Sequence, residues 1–223
     1  MSIILSPYSV FEFIEEKDMV VNTINTKGYM GKGLAKEFAI RFPEMEKEYI
    51  KKCEKNEIKS GDLWVWEGKN IVIGNMATKD DYKLPSKIEW ISKGIENLRH
   101  EILSRKLKSV AIPKIGASLG HLDWEHVEKE ILKLHDLECE IIIAIDAEIG
   151  PKEQKALEKI SDLVSRCSSE NSPFFDYDCP KEIIKVIKLV KENQNKIKRF
   201  RDILNIRGIG DKNYKMLIDI ASK

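Results

Sequence analysis

The most constraining feature of the chain is residues 21–35, VNTINTKGYMGKGLA. An apolar run ends in two asparagines, passes through three glycines and resumes with helical spacing. The pattern predicts a strand, a loop and a helix. Gly28, Gly31 and Gly33 permit positive φ and close approach of backbone to a ligand. A helix opening at about Gly31–Gly33 points free N–H groups and its positive dipole end at whatever occupies the loop, which makes an anion site. Asn22 can both donate and accept, which suits a pair of ribose hydroxyls. The plain alternative is an ordinary strand–loop–helix turn.

A second segment repeats the design. In residues 113–124, PKIGASLGHLDW, a strand runs into a loop of small residues, and Asp123 caps the helix that follows. Two such loops, both leaving strands at their carboxyl ends, are expected to lie close together, where they would grip a diphosphate. A third segment, residues 75–82 (NMATKDDY), sets Lys79 after a strand end, where its side chain is aimed at the same cleft. A lysine with a depressed pKa is a nucleophile toward carbonyl or anomeric carbons. A solvated lysine beside Asp80 and Asp81 is the bland reading, and proton steering by either aspartate rests on adjacency alone.

The rest of the chain fits an alternating pattern. Met19–Ile24, Leu63–Trp66, Ile71–Ile73, Ser109–Pro113 and Cys139–Ile145 read as strands. Leu34–Phe42 and Glu44–Lys55 read as helices separated by Pro43. Ser86 is expected to cap a helix over Lys87–Lys106. This order predicts an α/β fold with a mixed sheet and helices on both faces, whose ligand sits beyond the carboxyl ends of the central strands.

Three regions follow from composition: residues 1–150 as the α/β domain, 151–180 as a linker or connecting segment, and 181–223 as a small basic helical region. A stretch rich in Ser, Asp and Pro at 165–180 marks the linker. Pro180 opens a helix with Ile183, Ile187, Val190 and Ile197 on one face. Residues 1–150 carry a net charge of −4 and 151–180 of −2, whereas 181–223 carry +7. A basic tail on an acidic body suits a polyanion partner, and equally a solvated Lys-rich helix. Cys53, Cys139, Cys167 and Cys179 form no C-x-x-C pair and read as reduced thiols of a cytoplasmic protein. No apolar run reaches the roughly 20 residues of a membrane span, and the start lacks the basic region of a signal peptide.

The three segments, in this order, resemble the macrodomain family, and within it the DarG-type DNA ADP-ribosyl glycohydrolase antitoxins. The resemblance covers about residues 1–148 and rests on VNT-x-N-x-x-G-x-MGKG-x-A, on the TK pair Thr78-Lys79, and on the Pro113 loop ending in G-x-LDW. It implies a three-layer α/β/α macrodomain that binds ADP-ribose. Asn22 then matches the residue orienting the distal ribose and Lys79 the group acting at the anomeric carbon. Asn25, Gly28, Met30, Gly31, Lys32 and Gly33 match the first phosphate loop. Thr78, Pro113, Gly116, Ala117, Ser118, Leu119 and Gly120 match the rest of the ligand site. Three departures stand out. The start, Leu5-Ser6-Pro7-Tyr8, lacks the Gly-Asp pair with which many macrodomains read adenine. Ser118 and His121 replace small or glycine positions. Gly120 stands where eukaryotic relatives carry a catalytic aspartate, so only a lysine-centred mechanism carries over.

Residues 203–212, ILNIRGIGDK, resemble half of a helix-hairpin-helix motif, which implies phosphate contacts through Gly208 and Gly210, with Lys212 and Lys215 adding charge. Tyr214 stands where that motif prefers a small residue. The expectation is an ADP-ribosyl hydrolase acting on modified DNA, with ADP-ribose as ligand and product and no other cofactor or metal. A cognate ADP-ribosyltransferase toxin is a further possible partner, and no membrane is involved. Two rivals share the pocket: a hydrolase of ADP-ribosylated protein carboxylates, and a non-catalytic ADP-ribose reader.

Overall fold

A computed structural model describes residues 2–167 and 181–221. The chain divides into two units, Met1–Asp146 and Ala147–Lys223. The first is built on six strands: β1 (Ile3–Ser6), β2 (Met19–Asn25), β3 (Leu63–Gly68), β4 (Ile71–Lys79), β5 (Ser109–Pro113) and β6 (Glu140–Ala144). Their order across the sheet is β1-β6-β5-β2-β4-β3. Every neighbouring pair is parallel except β3 with β4, which form an antiparallel hairpin at one edge. The sheet is therefore mixed, and five of its strands end at the same side.

Four helices cover the two faces: α1 (Gly33–Arg41), α2 (Pro43–Glu54), α3 (Ile88–Arg105) and α4 (Trp124–Leu132). Ile91, Ile95, Leu98 and Ile102 of α3, with Val127 and Ile131 of α4, pack on Val21, Met76, Val110 and Ile141. Phe38 of α1, with Met45 and Tyr49 of α2, packs on Val20, Ile24, Ile73 and Ile142 from the other side. Alternate residues of one strand thus feed opposite cores, as a sheet buried on both faces requires. Pro43 occupies the first turn of α2, where its missing N–H removes no helical bond. The result is the expected three-layer α/β/α arrangement.

Several details differ from the sequence reading. β1 is an edge strand that the opening residues did not announce. β4 runs on to Lys79 itself. Ser86 does not cap α3: Lys87 holds the cap position without a side-chain bond, and Ser86 is buried instead against the second loop. Asp123 does cap α4, its carboxylate accepting from the Glu125 N–H at 2.9 Å.

The second unit contains α5 (Pro151–Cys167), α6 (Lys181–Glu192) and α7 (Asp211–Ala221), with a 3-10 segment at Phe200–Asn205. Residues 151–167 of the expected connecting segment are thus helical, because Leu157 and Ile160 supply an apolar stripe that α6 and α7 cover. Residues 168–180, with Cys179, lie outside the described residues. Ile197 lies beyond the end of α6, not on its face. Phe200 and Tyr214 are both buried, their ring centroids 5.6 Å apart. Among the described residues, no helix is long and apolar enough to cross a membrane.

Candidate functional site

β2 lies between β5 and β4, so the loops leaving these three strands emerge side by side. This is why segments distant in sequence converge. The β2–β4 register shifts between Ile24 and Asn25: Ile24 faces Ala77, and Asn25 faces Lys79. Thr78 is the extra residue. Such a bulge re-aims the side chain that follows it, and here it sets Lys79 directly across from Asn25 at the strand ends.

Asn25 organises the first loop. Its Oδ1 accepts from the Lys27 N–H at 2.8 Å, and its Nδ2 donates to the Tyr29 carbonyl at 2.6 Å. The buried Tyr49 hydroxyl donates to the Asn25 carbonyl at 2.8 Å, and burial drives the Tyr49 pKa upward, which keeps it a neutral donor. The Thr26 hydroxyl donates to the Asp80 carboxylate at 2.7 Å and lies 2.8 Å from the Asp80 carbonyl. The Asp80 pKa is lowered, chiefly by that hydroxyl. Gly28 and Gly33 have φ of +75° and +60°, and α1 begins at Gly33 with no side chain capping it. The first turn of α1 therefore keeps N–H groups free of any cap side chain.

The second loop, residues 114–122, is folded back on itself by backbone bonds. Leu122 N–H donates to the Gly116 carbonyl at 3.0 Å, and Ser86 N–H to the Gly120 carbonyl at 2.9 Å. Gly120 is forced to be glycine by space: a Cβ there would overlap the Gly116 carbonyl and come within 2.6 Å of Ser86 Oγ. Ser86 Oγ itself is buried with no hydrogen-bond partner among the described residues. The two loops touch, since a Cβ on Gly33 would lie 3.3 Å from Leu119 Cδ1.

Lys79 ties the end of β4 to the second loop. Its Nζ donates to the Leu119 carbonyl at 2.5 Å. Burial lowers its pKa from the ordinary lysine value, and the negative charge of Asp81 opposes that shift. Of the two aspartates considered for proton steering, Asp80 is engaged with the first loop, and Asp81 is the one that acts electrostatically on Lys79.

Asn22 lies within β2, inside the strand expected over Met19–Ile24. β2 continues three residues further, so Asn22 lies about 10 Å inside the strand end. It is fully buried, its Nδ2 donating to Asn75 Oδ1 at 2.9 Å, and its Oδ1 has no partner among the described residues. Met30, Thr78 and Pro113 are also buried, whereas Lys32, Gly33, Ser118 and Leu119 are exposed; Gly28, Gly31, Gly116 and Ala117 are half-buried. Ser86 is the site residue that sequence reasoning missed, because a serine ahead of a helix reads as a cap. A separate cleft of about 320 Å³, lined by Lys52, Trp64, His100 and Glu101 among others, includes no residue of the three loops.

A three-layer α/β/α domain with two glycine loops and a lysine at the carboxyl edge of its sheet belongs to the class that binds phosphorylated ligands at strand ends. Residues 21–131 match the Macro domain family. The macrodomain of Thermus aquaticus DarG superposes with a TM-score of 0.60 at 30% identity, over 65% of this chain and 98% of that one. Thermosipho africanus DarTG in complex with ADP-ribose superposes at 0.55 with 26% identity, over 57% and 38%. A DNA ADP-ribosyl glycohydrolase of Mycobacterium tuberculosis is 37% identical over 122 residues, which is 52% of this chain and 34% of that protein. The chain belongs to the macrodomain family through its first unit. It spans about a third of the length of the curated DNA ADP-ribosyl glycohydrolases it matches.

Proposed function

We propose that this protein is an ADP-ribosyl hydrolase that releases ADP-ribose from a modified DNA base. The observation that carries the reading is Lys79. Its amine, lowered in pKa by burial, reaches the Leu119 carbonyl of the second loop from a strand end that faces Asn25. The two loops would hold the diphosphate through backbone N–H groups, with Ser86 Oγ as a buried group free to join them. Asn25 would frame the distal ribose while Asn22, locked to Asn75, fixes the strand beneath it. Lys79 then engages the anomeric carbon, either by adding to it as a free amine or by polarising it as an ammonium. In both routes the bond to the base breaks, the base takes a proton, and water supplies the hydroxyl that ends on the sugar. DNA is favoured over a protein carboxylate because the relatives at 34–37% identity bear the name DNA ADP-ribosyl glycohydrolase. A cognate DNA ADP-ribosyl transferase would make the substrate.

Lys79→Ala tests this. It is expected to abolish release of ADP-ribose from a modified oligonucleotide while ADP-ribose still binds in calorimetry. Near wild-type release would sink the lysine mechanism. The pH profile separates the two lysine routes. If the free amine attacks, the rate rises with pH through an inflection below the ordinary lysine pKa of 10.5. If the ammonium polarises, the rate falls through the same inflection.

The second unit is proposed as the DNA-holding part. Gly208 has φ of +98° and α7 starts three residues later. Lys185 and Lys188 are exposed on α6 and line a groove of about 330 Å³ with Ile184, Leu189 and Glu192. Gly208 lies beside Leu189, so the hairpin and the lysine stripe adjoin. Lys212 is exposed, whereas Lys215 pairs with Asp219 at 3.0 Å. Phosphate binding here should weaken steeply with salt. Salt-insensitive binding of unmodified DNA, followed by anisotropy, would leave the hairpin a structural role.

A further inference from the structure

The last residue of β4 and the one after it are tied to different loops. Lys79 donates to the Leu119 carbonyl of the second loop, whereas Asp80 is held by the first. Three groups of the first loop converge on Asp80. The Thr26 N–H donates to the Asp80 carbonyl at 3.2 Å. The Thr26 hydroxyl donates to the Asp80 carboxylate at 2.7 Å, and the Lys27 ammonium lies 3.5 Å from the same oxygen. Successive side chains of an extended chain point to opposite sides, so a single backbone step separates two anchors that reach in different directions.

The hydroxyl contact carries most of this hold. A hydroxyl donating to an ionised carboxylate makes a stronger bond than a neutral pair, and that hydroxyl is the chief reason the Asp80 carboxyl sits below its ordinary pKa. The Lys27–Asp80 pair is 49% and 50% exposed, where solvent screens an ion pair to little. The ladder between β2 and β4 ends at Asn25 and Lys79. Beyond it, the Thr26–Asp80 contacts continue the pairing of two strand ends that would otherwise fray. A reacting group on a fraying end loses rate steeply, because a misplacement of about 1 Å can cost a hundredfold.

The same contact decides where a negative charge goes. Asp80 and Asp81 both follow Lys79 in the chain. Asp81 acts on Lys79 and favours its ammonium form, whereas Asp80 answers to Thr26, Lys27 and Lys87. The second loop has Lys114, turned onto the Trp124 ring at 5.0 Å, and His121 as its own titratable groups. It meets Lys79 through an uncharged carbonyl. Released from Thr26, the Asp80 carboxylate would be free to turn to the ammonium one residue away.

We propose that Thr26 is a positioning residue for Lys79: its hydroxyl pins Asp80 to the first loop, which fixes the end of β4 and keeps the Asp80 carboxylate off the lysine amine. The inference rests on the proposed function for its effect on catalysis and extends it from the lysine to the residue that holds it in place.

The test uses the full chain with Thr26→Val, Thr26→Ser, and Thr26→Val combined with Asp80→Asn. One readout is release of ADP-ribose from a modified oligonucleotide. The other needs no substrate: acetic anhydride acetylates the Lys79 amine across a pH series, followed by mass spectrometry. Valine keeps the shape of threonine and lacks the hydroxyl. Thr26→Val is expected to lower kcat about tenfold, the effect of a misplacement smaller than 1 Å, with KM changed by less than about twofold. Its acetylation inflection should move to higher pH by about 0.5, since a nearby carboxylate favours the ammonium. Thr26→Ser should rescue both values. The combined variant should return the inflection to its wild-type position while kcat stays low, because the charge is gone and the hold is not restored. Unchanged kcat and inflection in Thr26→Val overturn the proposal. Equal losses in Thr26→Ser overturn it by assigning the effect to the threonine methyl. A loss confined to KM overturns it by making Thr26 a ligand contact. An inflection still raised in the combined variant overturns the role given to the Asp80 charge. If the wild type releases nothing from the oligonucleotide, the proposed function fails, and the acetylation profiles alone decide whether Thr26 keeps Asp80 from Lys79.

Discussion

The two glycine loops resemble each other in sequence but are held in shape by different means. The first is clamped by side chains: Asn25 bonds to Lys27 and Tyr29, Thr26 to Asp80, and Tyr49 closes on the Asn25 carbonyl. The second is clamped by backbone bonds and lack of space, with Gly120 wedged between the Gly116 carbonyl and Ser86. It even holds a non-glycine residue, His121, at φ of +58°. A loop shaped by side chains fails when a hydrogen bond is deleted. A loop shaped by close packing fails when an atom is added. A loop can be held in shape by either route, and each leaves its own mutational signature.

The largest effect is expected from adding an atom to the second loop. Gly120→Ala should cost about 3 kcal/mol, at the upper end of overpacking penalties, because the obstructing atom is backbone and cannot swing away. Urea denaturation measures it, and calorimetry should show weaker ADP-ribose binding. Wild-type stability in this variant would show that the second loop is looser than its bonds imply.

Deleting a clamp in the first loop comes next. Asn25→Ala strips partners from the Lys27 N–H and the Tyr29 carbonyl and should cost about 2 kcal/mol, with ADP-ribose affinity reduced. The corresponding deletion in the second loop, Ser118→Ala, removes no side-chain clamp seen among the described residues and should change stability by less than about 0.5 kcal/mol. Equal losses at the two positions, read from parallel urea melts, would erase the contrast.

The smallest effect has the opposite sign. His121 pays for a left-handed backbone that glycine adopts without strain. His121→Gly should therefore stabilise by about 0.5 kcal/mol, the strain relief exceeding the extra freedom of the unfolded chain. A thermal melt shifted downward would mean that the His121 side chain makes a contribution larger than its strain.

Much of the fold was legible in the sequence because the signals are local. Strands buried on both faces read as short apolar runs, as in Ile141–Ile143, and the glycine loops stand out by composition. The order of these segments was enough to place both loops and Lys79 at one edge of the sheet. Asn22 shows where local reading stops. Two asparagines three residues apart look alike and both are buried, and only the packed sheet decides that one bonds to Asn75 of the neighbouring strand and the other to the first loop.

The sequence by itself determined the alternation of strands and helices, the two glycine loops and a lysine near a strand end. Tertiary structure alone decided the bulge at Thr78 that sets Lys79 across from Asn25, the reach of Lys79 to Leu119, the burial of Ser86 beside Gly120 and the meeting of Tyr29 with Tyr82. The physical reason is range. Propensity, capping and periodicity act over a few residues. Register and loop contact join residues about 35 to 55 positions apart, and they are fixed by the packing of the whole sheet, where a slip of one residue would turn every side chain to the wrong face.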